Sequence, residues 1–388
     1  MTYRQEIWET FINVPSIGKL PEFLQKIADT GKGQKKIVLE NPEEAMVKAR
    51  TSALDILSET LGAPWNQAKL EDFQLERISG GFTNQVFKCW LKDKTTVVLK
   101  VEFPKSVEDK KREYGMVKIM ADHNLGPKLL GVFPEGRIEE LLDCRIITES
   151  EMRSTKFAYQ IGRKVAQIHS LPIEKEDRQN ELSSVIQGYF DRIRKSGIIT
   201  FELDSESSDV PKVVTVDMLE DEARKVELYL NEHFSKPVQR IHNDLFMPNF
   251  LITKVNGVET EPEKNITLID YEFSMRTHRA SDVITYCIDF QEAFEKDVTK
   301  DTAESTTAFL KGYLEHFYET SSSLPDLKLS GDLARDSLAI LEEAQKYVPI
   351  WVYYWAIWHV VCFVENNTQL DYEQIYRDRV SHYYTLKF

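Results

Sequence analysis

The sequence has little cysteine and no excess of positive charge. Its 388 residues include four cysteines, and none of them stands in CxxC spacing: Cys89, Cys144, Cys287 and Cys362. We therefore expect neither a disulfide framework nor a zinc site, and reduced thiols in the cytoplasm are the simplest interpretation. The formal charge is −14, with 49 Lys and Arg against 63 Asp and Glu. A net-acidic chain without a basic stripe does not favour nucleic acid or an anionic membrane surface as its partner.

Long apolar runs are also scarce. The N-terminal segment MTYRQEIWETFINV carries charges every few residues and shows no apolar core of a secretory signal. One run, YVPIWVYYWAIWHVVCFV at 347–364, has no Asp, Glu, Lys or Arg and is long enough for a marginal membrane span. It is rich in aromatics, contains Pro349 and His359 and has no flanking basic cluster. We interpret it as a buried helix without stable membrane insertion, and a membrane anchor is the alternative.

The order of patterns along the chain predicts an α+β fold with two lobes. Residues 1–40 look like an N-terminal extension. Residues 41–148 begin with an amphipathic helix over 42–61 and continue with five strand-like stretches, with one charged helix after the third. Residues 149–388 are mostly helical, apart from two strand-like pieces, FLITK and ITLID. Between the helices, the acidic stretch at 196–214 is predicted to be an irregular surface loop.

Two weak signals lie in the β-rich part. RISGGFTN at 77–84 sits between two strands, and its adjacent glycines allow close backbone approach to a phosphate. The same letters are also common in an ordinary hairpin turn. Lys100 ends the strand VVLK, and Glu113 follows in a helical stretch. Such a pair can place a positive charge on ATP phosphates. For any single pair, however, an exposed strand lysine and a solvated helix glutamate are the more common explanation.

A stronger signal comes from IHNDLFMPNFLI at 241–252 and ITLIDYE at 266–272. Asp244 precedes Asn249 by five residues, and an apolar strand then ends at Asp270. Phosphoryl transfer needs a carboxylate near the attacking hydroxyl and hard oxygen ligands for Mg²⁺. Asp244 suits the first role, and Asn249 and Asp270 suit the second. The glycine turn, Lys, Glu, Asp, Asn and Asp follow one another in the order typical of a protein-kinase-like fold.

Over residues 45–385 the chain resembles the choline/ethanolamine kinase family. The resemblance rests on the glycine loop RISGGFTNQVFKCWL, the hinge LGPKLLGVFPEGRIEELL, the catalytic loop HNDLFMPN, the metal segment LIDYEFSMRTHRASD and the aromatic helix YYWAIWHVV. It implies a bilobal protein-kinase-like fold with a five-stranded antiparallel sheet and one helix in the N-lobe and a mostly helical C-lobe. The implied reaction moves the γ-phosphate of ATP to a small amino alcohol with Mg²⁺. Family members often dimerise, so a homodimer is an expected assembly.

The resemblance also implies roles for individual residues. Asp244 accepts the proton of the substrate hydroxyl, Asn249 and Asp270 hold Mg²⁺, Glu272 supports that site, and Asp282 pins the catalytic loop. The remaining positions implied to bind ATP are Gly80, Gly81, Thr83 and Asn84 at the phosphates, Lys100 paired with Glu113 at the α/β-phosphates, and Glu140 and Leu141 at the adenine hinge. We expect Asp244, Asn249 and Asp270 to surround a single divalent ion.

The acceptor is expected to bind at the aromatic helix. A quaternary ammonium has no N–H to donate, so aromatic faces must bind it, at about 0.5–2 kcal/mol per ring. Trp351, Trp355 and Trp358 share one helical face. The simplest interpretation of all three is plain core, and we keep it for Trp351. The resemblance to the family instead makes Trp355 and Trp358 walls of a cation cage. The resemblance adds Tyr372 as a cage residue and Asp289 as the carboxylate facing the cation.

Several acceptor-side positions depart from the family pattern. Phe246 stands where the family has Gln, and Pro248 where it has a small glycine. Asp289 replaces a Glu, and Phe294 a Tyr. Choline is the leading substrate, because the aromatic residues suit a quaternary ion. Ethanolamine, with three N–H donors, is the near alternative. A catalytically weak binding protein on a kinase fold is a third interpretation.

Overall fold

The computed structural model describes residues 42–78, 84–102, 107–173, 179–204, 207–234, 239–287, 300–320, 327–365 and 371–386. These residues form two compact units. The first unit runs to Arg145 and also takes in Leu251–Thr260 and Thr267–Glu272. The second unit holds the remaining residues from Ile146 onward. The predicted extension at 1–40 lies outside the described residues.

The first unit is built on a five-stranded antiparallel sheet, and the strand prediction is confirmed. The strands are β1 (Phe73–Arg77), β2 (Asn84–Leu91), β3 (Thr96–Glu102), β4 (Leu129–Phe133) and β5 (Gly136–Glu140). They lie in the order β1-β2-β3-β5-β4, and each neighbouring pair is antiparallel. Lys100 of β3 is directly opposite Arg137 of β5. Side chains at directly opposite positions share a face of the sheet, so these two cations lie side by side.

Two helices complete the first unit: α1 (Pro42–Leu61), and α2 (Val107–Asp122), which is inserted between β3 and β4 as predicted. Ala53, Ile56 and Leu57 of α1 are fully buried. Their three- and four-residue spacing places them on one helical face. They share a core cluster with strand residues Phe73, Phe87, Leu99 and Ile138. Burying each such side chain stabilises the fold by about 1.5–3 kcal/mol.

The second unit is mainly helical, as predicted. Its helices are α3 (Glu149–Arg153), α4 (Thr155–His169), α5 (Leu182–Ser196), α6 (Val216–His233), α7 (Ala280–Cys287), α8 (Lys300–Thr320), α9 (Leu333–Val364) and α10 (Tyr372–Thr385). Several begin at a side-chain cap. The Ser154 hydroxyl accepts from the Phe157 amide at the start of α4, and Asp332 accepts from the Arg335 amide at the start of α9. Such caps stabilise a helix by about 1 kcal/mol.

Seven short strands complete the described structure: β6 (Cys144–Ile146), β7 (Thr200–Glu202), β8 (Val213–Thr215), β9 (Gln239–Ile241), β10 (Phe250–Thr253), β11 (Ile266–Leu268) and β12 (Met275–Thr277). Strands β10 and β11 were predicted, and they lie side by side in a sheet of order β11-β10-β6. Strands β9 and β12 pair antiparallel and flank the segment that holds Asp244 and Asp270. The others were not predicted, because three residues are too few to show a periodic pattern.

The prediction of an irregular loop over 196–214 is wrong. Strands β7 and β8 form an antiparallel ribbon there, with Phe201 directly opposite Val214. Both side chains are buried, while Glu202 and Val213 are exposed. Leu203 and Val210, just beyond the strands, are buried as well. The high content of acidic and serine residues hid these residues from the sequence pattern.

The apolar run at 347–364 belongs to α9. This is one helix in the described part of the chain that is long and apolar enough to cross a membrane, and 78% of its most apolar 18-residue window is buried inside the protein. Trp351, Trp355 and Val360 are each at most 3% exposed. The helix packs on α5, α7 and α10. This burial favours the interpretation of α9 as a core helix.

Helices α4 and α8 approach so closely that glycine is required where they cross. A Cβ atom on Gly162 would overlap the carbonyl oxygen of Phe309, and a Cβ on Gly312 would overlap that of Tyr159. Backbone atoms cannot move aside as a flexible side chain can. The two helices therefore depend on both glycines for their contact.

We expect Gly162→Ala to lower the free energy of unfolding by about 2 kcal/mol, since overpacking a tight contact costs about 1–3 kcal/mol. Urea denaturation followed by circular dichroism measures this change. Gly188→Ala on α5 is the matched control, because nothing lies within 4 Å of the added Cβ. There alanine should be neutral or stabilise the helix by up to about 1 kcal/mol. Equal effects at the two positions would contradict the proposed close contact.

Candidate active site

The catalytic-loop candidates Asp244 and Asn249 are held together by direct hydrogen bonds. Residues 242–249 connect β9 to β10, and Asn249 closes a short 3-10 turn that starts at Met247. Its side-chain Nδ2 donates to the Asp244 backbone oxygen (3.0 Å) and to the Asp244 carboxylate Oδ2 (2.8 Å). Because Nδ2 donates to Asp244, the other end of the Asn249 side chain is its amide oxygen. That oxygen is an acceptor and has the chemistry of a metal ligand.

The loop is anchored on the carboxylate of Asp282, near the start of α7. The backbone amide of His242 donates to Asp282 Oδ2 (2.8 Å), and that of Asn243 donates to Oδ1 (2.6 Å). Asp282 is completely buried. Asn243 has φ of 66°, a left-handed conformation that is unfavourable for most residues. The two charge-assisted bonds, worth about 1.5–3 kcal/mol each, offset that strain.

His169 contacts the carboxylate that anchors the loop, and sequence reasoning missed it. Its Nε2 lies 3.0 Å from Asp282 Oδ2, and its Nδ1 lies 2.8 Å from the Tyr313 hydroxyl. The sequence placed His169 only at the end of a helix. The only sequence signal for His169 was that it is a polar residue at a position of α4 where the spacing predicts an apolar, core-facing side chain.

In the first unit, Asp270 and Lys100 form an ion pair. Lys100 Nζ lies 2.5 Å from Asp270 Oδ1, and the side chains are 7% and 21% exposed. Burial alone would raise the pKa of the Asp270 carboxyl, but the ammonium outweighs it, and the pKa falls below its usual value. Burial would likewise lower the pKa of Lys100, yet the nearby carboxylates raise it. Both groups therefore stay charged. Asp270 also has φ of 68°, a strained conformation typical of functional sites.

The predicted pairing of Lys100 with Glu113 needs correction, since the Lys100 ammonium bonds Asp270 instead. Glu113 Oε1 lies 2.5 Å from Arg137 Nη1, and the same guanidinium bonds Glu102 and Glu139. The physical reason is the strand register, which places Arg137 opposite Lys100. A guanidinium forks between several carboxylates more readily than a point-like ammonium does.

Lys100 and Asp270 belong to a larger group of charges in the first unit. Its cations are Lys100 and Arg137, and its carboxylates are Glu102, Glu113, Glu139 and Asp270. Within the described residues, no group of three or more Asp, Glu, His or Cys side chains is arranged to hold a metal ion. Asp270 has the hard oxygen donors that Mg²⁺ prefers. Asp270 belongs to the first unit, whereas Asp244 and Asn249 belong to the second. That the three surround one ion therefore stays a prediction.

Other predicted ATP-site residues are placed as follows. Asn84, at the start of β2, is buried, and its Nδ2 lies 3.4 Å from Glu272 Oε2. Glu140 ends β5, and its carboxylate accepts from the Lys128 amide at 3.3 Å. Leu141 follows directly as a half-buried residue. Gly80, Gly81 and Thr83 lie outside the described residues. The nucleotide contacts of all these residues remain predictions.

The structure gathers aromatic rings around Phe273, which sequence reasoning missed. Its ring centroid lies 5.1 Å from that of Trp355 and 5.0 Å from that of Trp358. The ring of His359 lies between Trp355 (6.3 Å) and Tyr372 (6.1 Å). The signal for Phe273 was available, because an aromatic residue directly follows Glu272 in the metal segment.

The remaining residues predicted on the acceptor side are in different environments. Trp351 is fully buried, and its indole N–H donates to the Thr285 hydroxyl at 2.9 Å, as expected for a core residue. Phe246 is 38% exposed. Asp289 and Phe294 lie outside the described residues.

Comparisons with known proteins find relatives that match most of the chain. Choline kinase A2 of Caenorhabditis elegans is 26% identical over 366 residues, covering 84% of this chain and 83% of its own. A human choline/ethanolamine kinase is 26% identical over 352 residues, covering 85% and 84%. Among solved structures, an ethanolamine kinase of Plasmodium vivax superposes with a TM-score of 0.66 at 18% identity, covering 93% of this chain and 94% of that one. That structural likeness shows the fold.

The family model described as choline/ethanolamine kinase matches residues 75–384, which is most of the chain. The match spans the five-stranded sheet, the catalytic loop and the aromatic helix. The protein is therefore a small-molecule kinase with a protein-kinase-like fold, and it belongs to the choline/ethanolamine kinase family.

Proposed function

We propose that this kinase transfers the γ-phosphate of ATP to the hydroxyl of choline and forms phosphocholine for phosphatidylcholine synthesis. The observation that carries the substrate class is the ring cluster of Phe273, Trp355 and Trp358. Aromatic faces attract a quaternary ammonium through the ring quadrupole and need no hydrogen bond from it.

Asp244 supplies the base of the proposed reaction. The hydrogen bonds from Asn249 and the anchoring of the loop on Asp282 orient its carboxylate before the acceptor arrives. A carboxylate held in this way accepts the hydroxyl proton as the oxygen attacks phosphorus. Preorganisation of the loop means that little ordering remains to be done in the transition state.

Lys100 and Asp270 serve the nucleotide. The ammonium of Lys100 neutralises phosphate charge, and Asp270 and Asn249 would hold Mg²⁺, with Glu272 in support. When bound, Mg²⁺ offsets the negative charge that develops on the transferred phosphoryl group. The oxygen donors of the Asp270 carboxylate and of the Asn249 amide support this assignment.

Ethanolamine is the second candidate acceptor. The relatives include proteins named for choline, for ethanolamine and for both. A primary ammonium offers three donors and favours carboxylates over rings. The described residues around Phe273 are rich in aromatic rings, which is why we place choline first. A catalytically weak binding protein would show neither activity.

We also propose a cytoplasmic location. The four cysteines are free thiols, two of them buried. Burial raises the pKa of the Cys89 and Cys287 thiols, which reduces the fraction of reactive thiolate. These features agree with a reducing compartment, and the burial of α9 supports a protein that does not insert in a membrane. Fractionation of cells with an antibody to the protein tests both points.

Asp244→Asn should lower kcat for choline phosphorylation by about 10²–10⁴, because the amide cannot accept the hydroxyl proton. A coupled ADP-release assay with choline and MgATP measures it. Asp221→Asn, at an exposed residue of α6 paired with Arg224, is the control and should leave kcat unchanged. Wild-type protein that consumed ATP with neither choline nor ethanolamine would overturn the proposed function.

Trp358→Leu should raise KM for choline by about 3- to 30-fold, the equivalent of one lost cation–π contact. KM for ethanolamine should change less, since hydrogen bonds bind its ammonium. Trp90→Leu in β2 is the matched control. Trp90 is half-buried, as Trp358 is, and the ammonium of Lys88 lies over its ring. A choline KM that is equal in wild type and Trp358→Leu would contradict the cage assignment.

A further inference from the structure

One face of the proposed cage already carries a cation from the protein itself. The guanidinium carbon of Arg192 lies 5.2 Å from the ring centroid of Trp358. This is within the range of about 6 Å for a cation–π interaction. The same guanidinium lies 6.0 Å from the ring of Tyr189, one turn earlier on α5. Tyr189 in turn lies 5.3 Å from Trp358.

The position of Arg192 is fixed by a second contact. Its Nε donates to Glu365 Oε1 (2.7 Å) and its Nη2 to Glu365 Oε2 (2.6 Å). A bidentate pair of this kind fixes the plane of the guanidinium as well as its distance. Arg192 comes from α5. Glu365 is the C-terminal cap of α9 and lies about two turns beyond Trp358 on the same helix. The arginine is therefore held over the indole by two elements.

A cation on an indole ring changes what that ring offers to another cation. The attraction comes from the negative face of the ring quadrupole. If the substrate cation uses the face that Arg192 covers, the arginine blocks it. If the substrate uses the opposite face, the guanidinium draws electron density away and repels the second positive charge. Both geometries weaken the contribution of Trp358 to binding a quaternary ammonium.

We propose that the Arg192–Glu365 pair is a specificity determinant that reduces the preference of this kinase for a quaternary over a primary ammonium acceptor. This inference rests on the proposed function. Ethanolamine is affected less, because its three N–H donors bind acceptors other than the ring. The pair would make the affinities for choline and ethanolamine more alike, with no change at Asp244 or Lys100.

The test removes both charges at once with Arg192→Gln/Glu365→Gln, which leaves the net charge unchanged and allows the two amides to bond each other. A single Arg192→Gln would free the Glu365 carboxylate to attract either substrate, so it is less informative. We expect Kd for choline to fall about three- to tenfold and Kd for ethanolamine to change less than twofold. Isothermal titration calorimetry measures both values, and initial rates give the ratio of kcat/KM for the two acceptors.

The matched control is Arg194→Gln/Glu220→Gln. This pair starts on the same helix with the same contact, Arg194 Nε to Glu220 Oε1 at 2.8 Å, and should leave both Kd values unchanged. Arg192→Lys should shift the ratio toward that of the double variant, because an ammonium keeps the charge but cannot make the bidentate contact with Glu365 that fixes the guanidinium over the ring. An unchanged or weaker choline Kd in the Arg192→Gln/Glu365→Gln protein, folded as judged by circular dichroism, overturns the inference. Failure of the proposed function is a separate result, namely wild-type protein that phosphorylates neither acceptor.

Discussion

The site in the second unit depends on the acceptance of hydrogen bonds by one buried carboxylate. Asp282 takes the backbone amides of His242 and Asn243 and the imidazole of His169. A buried carboxylate without such donors would be costly, so its burial and its bonds require each other. The bonds hold Asn243 at a positive φ. Asp244 and Asn249 follow in the same loop, where Asn249 donates to Asp244.

The first unit uses charge in a different way. Arg137 collects three carboxylates, and Lys100 is left to the carboxylate of Asp270. The expected pair of Lys100 and Glu113 is therefore not formed. Glu113 bonds Arg137 on β5, and Lys100 on the neighbouring strand β3 bonds Asp270.

Much of the fold followed from patterns that are local in the chain. The apolar spacing of α1, the alternation in β1 to β5 and the apolar phase of α4 each reflect a single face turned to the core. The ribbon of β7 and β8 was missed because its strands have only three residues each and lie among acidic and serine residues. Likewise, the pair of His169 and Asp282 joins residues 113 positions apart, and no spacing rule connects them.

The sequence alone determined the family, the order of the reacting groups and the chemistry of each, since those follow from residue type and separation. Tertiary structure decided which charges pair. Lys100 faces Asp270 because Arg137 takes Glu113, and Phe273 joins the tryptophans because its ring meets both. Arg192 covers Trp358 because α5 and the end of α9 meet. Such pairings depend on distances between segments far apart in the chain, and composition and spacing carry no information about those distances.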